Sequence, residues 1–293
     1  MLIVRSVASV FRAEGLTGVL KAIVRRIGTP RARCYPACRE VVSGAIGLEI
    51  GGPSPIFTRT GLLPLYPLAS RIDNCNFAPR TVWEGAITEG DSFRFDARKP
   101  PGRQFIAEGA DLGTIPSGSY DFLLSSHMLE HTANPLRALS EWGRMLKPGG
   151  GLVLVVPHRD GTFDHRRPLT SLQHLIDDFE RDTAEDDLTH LPEVLALHDV
   201  SQDPGARGVN FRERAQRNAE LRTIHHHVFD TRLAVAVVTT ARLEVAAVEL
   251  LRPYHIVVLA RQPLDGTGDG LFSEKALRTV LRTSPFRTDR EAS

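Results

Sequence analysis

Cysteine is scarce in this chain. Cys34, Cys38 and Cys75 are the whole supply in 293 residues. An odd number with one C-x3-C pair argues against a disulfide framework and reads as reduced thiols of a cytoplasmic protein. No C-x2-C pair occurs, and a structural zinc site is not expected. Aromatic residues make up 6%, few for a pocket that must wall in a flat apolar ligand. No apolar run approaches the ~20 residues of a membrane-spanning helix. Arginines interrupt each apolar run near the N-terminus, which excludes a signal peptide. Charge of one sign is missing as well: the formal net charge is +1, giving no overall attraction to nucleic acid.

The 42% hydrophobic content supports a sizeable core. Residues 1 to about 40 read as a helical leader. Val4, Val7, Val10 and Phe11, then Leu16, Val19, Leu20, Ile23, Val24 and Ile27, form two amphipathic segments around Gly15. Residues 1–33 carry five arginines from Arg5 to Arg31, with Arg33 and Lys21, against Glu14 alone. Such helices pack on the main domain or on a second copy in a homodimer; the alternative is peripheral contact with a membrane surface. Apolar strands follow at Ala45–Ile50, up to Ile72, at Tyr120–Ser125 and at Leu152–Val156. Asp230 caps a helix over Thr231–Ala241. Strands Leu243–Leu251 and Tyr254–Ala260, joined by Arg252-Pro253, suit antiparallel pairing. Ser273–Thr283 forms a short late helix.

The stretch Tyr120–Pro157 is the most informative: YDFLLSSHMLEHTANPLRALSEWGRMLKPGGGLVLVVP. Asn134 and Pro135 open a helix as N-cap and first helical residue. Leu136, Leu139, Trp142, Met145 and Leu146 line one face. Lys147-Pro148-Gly149 stops the helix, and an unbroken apolar strand follows. The whole is a strand–helix–strand unit. In wording and spacing it resembles the class I S-adenosylmethionine-dependent methyltransferases, type 11-like. The resemblance covers about residues 43–262. It implies an α/β, Rossmann-like fold with a mostly parallel seven-stranded sheet and a C-terminal antiparallel strand. The domains would be a leader 1–40, a methyltransferase domain 41–263 with an acceptor-binding lid insertion 158–228, and a tail 264–293.

The resemblance also implies a cofactor site. Glu49 would accept hydrogen bonds from the methionine amino group, and Gly51 and Gly52 would let the backbone turn and approach the ligand. Pro53 and Pro55 stand where the family places further glycines, and they stiffen this loop. Asp73, 24 residues after Glu49, is expected at a strand end to hold the ribose hydroxyls. Asp111 would bind the adenine amino group with Leu112 packed on the ring, and Ser126 and His127 would lie beside the sulfonium.

The insertion carries the acceptor chemistry. Thr162, Phe163, Asp164, Arg167, Thr170, His174 and Asp178 match a run in a bacterial subset that resembles sugar and polysaccharide O-methyltransferases, and the basic leader resembles that of actinobacterial enzymes of methylmannoside polysaccharides. A carbohydrate acceptor is therefore expected. A sugar hydroxyl is weakly acidic, so a base or a metal ion assists its attack. His127, His174 and one of His225, His226 and His227, with His227 preferred, are the candidate bases, and Asp164 is the orienting carboxylate. His158 is a further candidate. The alternative is a hard ion such as Mg2+, held by a histidine with Asp160 or Asp164. His131 reads as structural, and His190, His198 and His255 as surface or strand positions. Ser125-Ser126-His127 stands where a nucleic-acid methyltransferase carries its N/D-P-P-Y/F motif, so nucleic acid is not expected as substrate. The alternatives are a natural-product methyltransferase and a cofactor-binding homologue without activity.

Overall fold

The computed structural model describes residues 31–206, 210–264 and 272–291; residues 1–30 of the expected leader lie outside them. The strands are β1 (Ile46–Ile50), β2 (Arg71–Asn76), a small hairpin of β3 (Arg80–Thr81) and β4 (Gly85–Ala86), β5 (Gly90–Phe93), β6 (Gly102–Ile106), β7 (Tyr120–Ser126), β8 (Leu146–Pro157), β9 (Glu244–Leu251) and β10 (His255–Arg261). Eight of them form one sheet in the order β5-β6-β2-β1-β7-β8-β10-β9. β6, β2, β1, β7 and β8 run parallel. β10 is antiparallel to both β8 and β9, so β9 again follows the core direction. This is the expected mostly parallel sheet with one reversed C-terminal strand; β5, antiparallel on the β6 edge, is an eighth strand that the sequence reading lacked.

Strand periodicity divides the core into two layers. Along β8, Leu152, Leu154 and Val156 pack on one face with Trp142, Leu139 and Val237. Val153 and Val155 pack on the other with Phe57, Tyr35 and Val42. Helix α1 (Tyr35–Val42) belongs to the second layer. α2 (Pro135–Met145) starts as expected, with the Asn134 side chain accepting a hydrogen bond from Arg137 N. Burying Leu136, Leu139, Trp142 and Met145 fixes its inner face.

The insertion folds as α3 (Leu172–Glu180), α4 (Leu191–Leu197), α5 (Phe211–Gln216) and α6 (Asn218–Leu221). α7 (Thr231–Thr240) returns the chain to the sheet, with Asp230 accepting from Leu233 N as its cap. After it, α8 (Glu274–Arg282) and α9 (Arg287–Glu291) pack back on the domain. Leu277 and Leu281 enter the core. Asp289 accepts hydrogen bonds from Thr231 Oγ1 and Ser284 Oγ, each at 2.7 Å. No helix among the described residues is long and apolar enough to cross a membrane.

Candidate active site

A cavity of about 670 Å³ opens where β1, β2, β6 and β7 end. Its floor is Ile50 and Gly51 after β1, Asn76 and Phe77 after β2, Ala107 and Glu108 after β6, and Ser126 and His127 after β7. Carboxyl ends of parallel strands are where open α/β sheets bind ligands. Gly51 has φ +84°, and a Cβ there would sit 3.0 Å from Met128 Cγ. Its turn thus needs glycine both for its backbone and for Met128.

Five expected cofactor residues are placed otherwise. Asp73 is mid-strand, not at a strand end, because β2 runs on through Asn74, Cys75 and Asn76. Its carboxylate accepts from Arg71 Nε (2.7 Å), Arg103 N (2.8 Å) and Tyr120 Oη (3.0 Å), and it does not line the cavity. Glu49 is fully buried, accepting from Ser54 N (3.2 Å) and Tyr66 Oη (2.7 Å). Burial pushes its pKa up to about 7. Glu49 therefore braces the 51–54 loop from behind. Gly52 is required by that brace, since a Cβ would lie 2.2 Å from the Glu49 carboxylate. Asp111 is exposed and Leu112 is buried in the core. Gly51 and Ser126, by contrast, do line the cavity.

The groups found in place of Asp73 and Asp111 are Asn76 and Glu108. Glu108 Oε1 pairs with Arg222 Nη2 at 2.8 Å, and Arg222 Nη1 reaches Glu185 Oε2 at 2.7 Å. Arg222 and Glu185 lie within residues 158–228, so this bridge ties the β6 end to that segment. Burial raises the pKa of Glu185 to about 7, against the pull of Arg222.

The other cavity wall is a cluster of histidines and carboxylates. His127 has φ +53°, a conformation uncommon for a non-glycine residue and a mark of functional sites. Its Nε2 lies 2.8 Å from His255 Nδ1, and its Nδ1 3.5 Å from Glu130 Oε1. Glu130 is fully buried, and neither carboxylate oxygen has a hydrogen-bond partner among the described residues. His225 Nδ1 lies 2.5 Å from Asp164 Oδ2, and its Nε2 3.9 Å from Glu130 Oε1. His131 Nδ1 donates to Ile224 O at 2.8 Å, leaving Nε2 with the lone pair. Arg167, almost wholly buried, donates to Asp164 Oδ1 (2.9 Å), His225 O (2.8 Å) and Glu193 Oε1 (2.8 Å). One guanidinium thus binds the 162–167 turn to the histidine run.

Charges follow from these partners. Burial works against ionising Asp164, but His225 and Arg167 outweigh it and hold its carboxyl well below the usual carboxylate range. Burial also disfavours a charged His225, yet Asp164 prevails and raises its pKa. Burial and the neighbouring His225 lower His131 to about 4, so its ring is neutral.

Of the expected catalytic residues, the structure brings His127 to the cavity and Asp164 behind His225. His174 and His227 do not line it; they pack together with His190 elsewhere in the insertion. His158 is buried against Phe286 with Asp289 Oδ1 3.2 Å from its Nε2. Asp160 accepts from Thr288 N at 2.8 Å. Both residues hold the C-terminal segment, which leaves Asp160 no part in an ion site at the cavity. Glu130, His131 and His225 bring one donor atom each within 4.8 Å of one another. The sequence reading gave Glu130 no role, took His131 as structural and preferred His227 to His225. The one available signal was the H-x3-H spacing of His127 and His131 within HMLEH.

A family profile described as a methyltransferase domain matches residues 92–154. That span runs from β5 through β8 and includes Glu108, Ser126, His127 and Glu130. No curated protein matches the chain. Among solved structures, the chain is similar to an S-adenosylmethionine-dependent methyltransferase from Methanosarcina mazei at 18% identity, covering 78% of this chain and 98% of that one, with a TM-score of 0.45. A second, from Mesorhizobium loti, has 16% identity, coverage of 78% and 97%, and a TM-score of 0.44. The N-methyltransferase NodS from Bradyrhizobium japonicum shares 13% identity, with coverage of 78% and 94% and a TM-score of 0.43.

Proposed function

We propose that this chain, an S-adenosylmethionine-dependent methyltransferase by its domain and its strand order, methylates a hydroxyl of a polar, carbohydrate-like acceptor. The observation that carries the reading is the Asp164–His225 pair on the cavity wall, with Glu130 beside it. The cavity suits the cofactor: it lies at the strand ends, has the size of a small-molecule site, and offers Gly51, Asn76 and Glu108 to hold the cofactor beneath Ser126 and His127. When bound, S-adenosylmethionine supplies an electrophilic methyl group.

The chain's own residues do the rest. Asp164 accepts a hydrogen bond from the Nδ1–H of His225, which leaves the Nε2 lone pair free to take a hydroxyl proton. Glu130 stabilises the imidazolium that forms. His127, held by His255 and Glu130, orients the reacting groups. Glu185, Gln202, Asp203, Arg214 and Thr223 offer a polar wall from the insertion, suited to a polyhydroxylated acceptor. Trp83, Phe163 and Tyr254, which line the same cavity, favour a second reading, an acceptor with a flat aromatic ring. The deciding experiment follows labelled methyl from the cofactor onto panels of oligosaccharides, of phenolic compounds and of amines. Label on sugars alone supports the first reading, label on phenols alone the second, and label on amines alone overturns both.

A further inference from the structure

Outside that cavity lies a second cluster. His174, His190 and His227 each place one ring nitrogen within 4.8 Å of the others. His174 Nε2 is 3.1 Å from His190 Nε2 and 3.3 Å from Asp178 Oδ2. His227 Nε2 is 3.9 Å from the same oxygen and 3.2 Å from Ala133 O, its ring's one hydrogen-bond partner among the described residues. Asp178 is 7% exposed, and its Oδ2 is buried without a hydrogen-bond partner. The chain builds this deliberately from three places. His174 and Asp178 stand four residues apart on one face of α3. His190 is the N-cap residue of α4. His227 lies in the segment that leads into α7.

Three clustered imidazoles, two of them within 3.3 and 3.9 Å of a partnerless buried carboxylate oxygen, leave lone pairs unmatched, which costs free energy unless a cation fills the centre. We propose that His174, His190, His227 and Asp178 bind a divalent transition-metal ion, Zn2+, that fastens the insertion. Three nitrogens and one oxygen are a donor set for zinc; Mg2+ and Ca2+ need mostly oxygen ligands. Four protein ligands leave no open position, so the ion is structural. His227 lies two residues beyond His225, and Arg167 grips the carbonyls of His225 and His226. The ion therefore anchors the segment that presents His225 to the cavity. This inference does not depend on the methyl-transfer reading, since none of the four residues lines that cavity.

Elemental analysis of the purified full-length protein after gel filtration tests the site. About one zinc per chain is expected, with occupancy falling at least tenfold in His190→Ala and in His174→Ala, whose ring is partly exposed and whose loss is less disruptive to folding. Replacement by Co2+ should give the intense visible absorption of a tetrahedral ion in wild type and not in either variant. Chelation should lower the unfolding temperature, and added Zn2+ should restore it. A metal-free protein that takes up neither Zn2+ nor Co2+ overturns the proposal. So does equal zinc in wild type and both variants, which would move the ion elsewhere, as to the Glu130, His131 and His225 cluster.

Discussion

His225 is the proposed base, and its partner decides its behaviour. With Nδ1 tied to Asp164, the base is Nε2 and must be neutral to act. Because Asp164 raises the His225 pKa, turnover should climb with pH through a value above the ordinary ~6.5 of histidine. His225→Ala should lower kcat by ~10²–10⁴-fold while leaving cofactor affinity nearly unchanged. Asp164→Asn should lower kcat and also move the inflection to lower pH; pH–rate profiles of the three proteins read both effects. An unmoved inflection in Asp164→Asn would assign it to another group. At Asp73 the expectation is reversed from the ribose role that its sequence position suggests. Four hydrogen bonds to Arg71, Arg103 and Tyr120 make it a clamp within the sheet. Asp73→Asn should destabilise folding by about 1–3 kcal/mol, seen by denaturant titration, with cofactor affinity measured by calorimetry unchanged.

Among the elements, α2 and the strands around it were legible in the sequence, while the bounds of β2 were not: its strand was read as closing at Ile72 and runs on to Asn76. The α2 start and inner face follow from a capping asparagine, a proline at the first position and a regular apolar spacing, all local signals; its end falls at Met145, since Leu146 already opens β8. Trp142 on that face is fully buried and donates Nε1–H to Gly109 O at 2.8 Å, pinning the loop after β6 beside the cavity. Trp142→Ala should cost about 3–5 kcal/mol of stability, measurable as a lower denaturation midpoint. It should weaken cofactor binding too, because the Glu108 loop loses its support. β2 was misjudged because its second half, Asn74-Cys75-Asn76, is mostly polar. The polar groups are satisfied by long-range partners: Asn74 by Gln104 and Gly52, Asn76 by Gly52 O. No local pattern announces a strand whose polar residues pair with distant loops. The insertion shows the same limit. Its motif residues were recognised, but its four short helices are held by side-chain bridges such as Arg222 to Glu108 and Arg167 to Asp164.

At the scale of the whole molecule, buried carboxyls set the response of stability to pH. Glu49 ionises near ~4.3 in an unfolded chain but at about 7 in the fold, because burial penalises its charge. Between those values the folded form keeps a proton that the unfolded form has lost, so stability falls as pH rises through that window. Glu185, raised to about 7 by burial, acts in the same direction. Asp203 acts oppositely: burial opposes its charge, but His198 and Arg214 hold it at about 2, so its stabilisation is present above the unfolded value of ~3.9 and is lost as pH falls through 2. Thermal unfolding of Glu49→Gln from pH 4.5 to 8 should show a flatter decline than wild type; an identical slope would remove Glu49 from this account.

The sequence by itself determined the fold class, the reversed last strand, the caps of α2 and α7 and the region of the ligand site. Those depend on signals that lie within a few residues of one another: periodicity, capping and glycine turns. Tertiary structure alone decided which acid meets which base. Asp164 and His225 stand 61 residues apart and meet within hydrogen-bonding distance, and His174, His190 and His227 gather from three segments. Such pairings depend on how the insertion closes over the sheet, and a one-residue change of register along a strand turns a side chain from one face to the other.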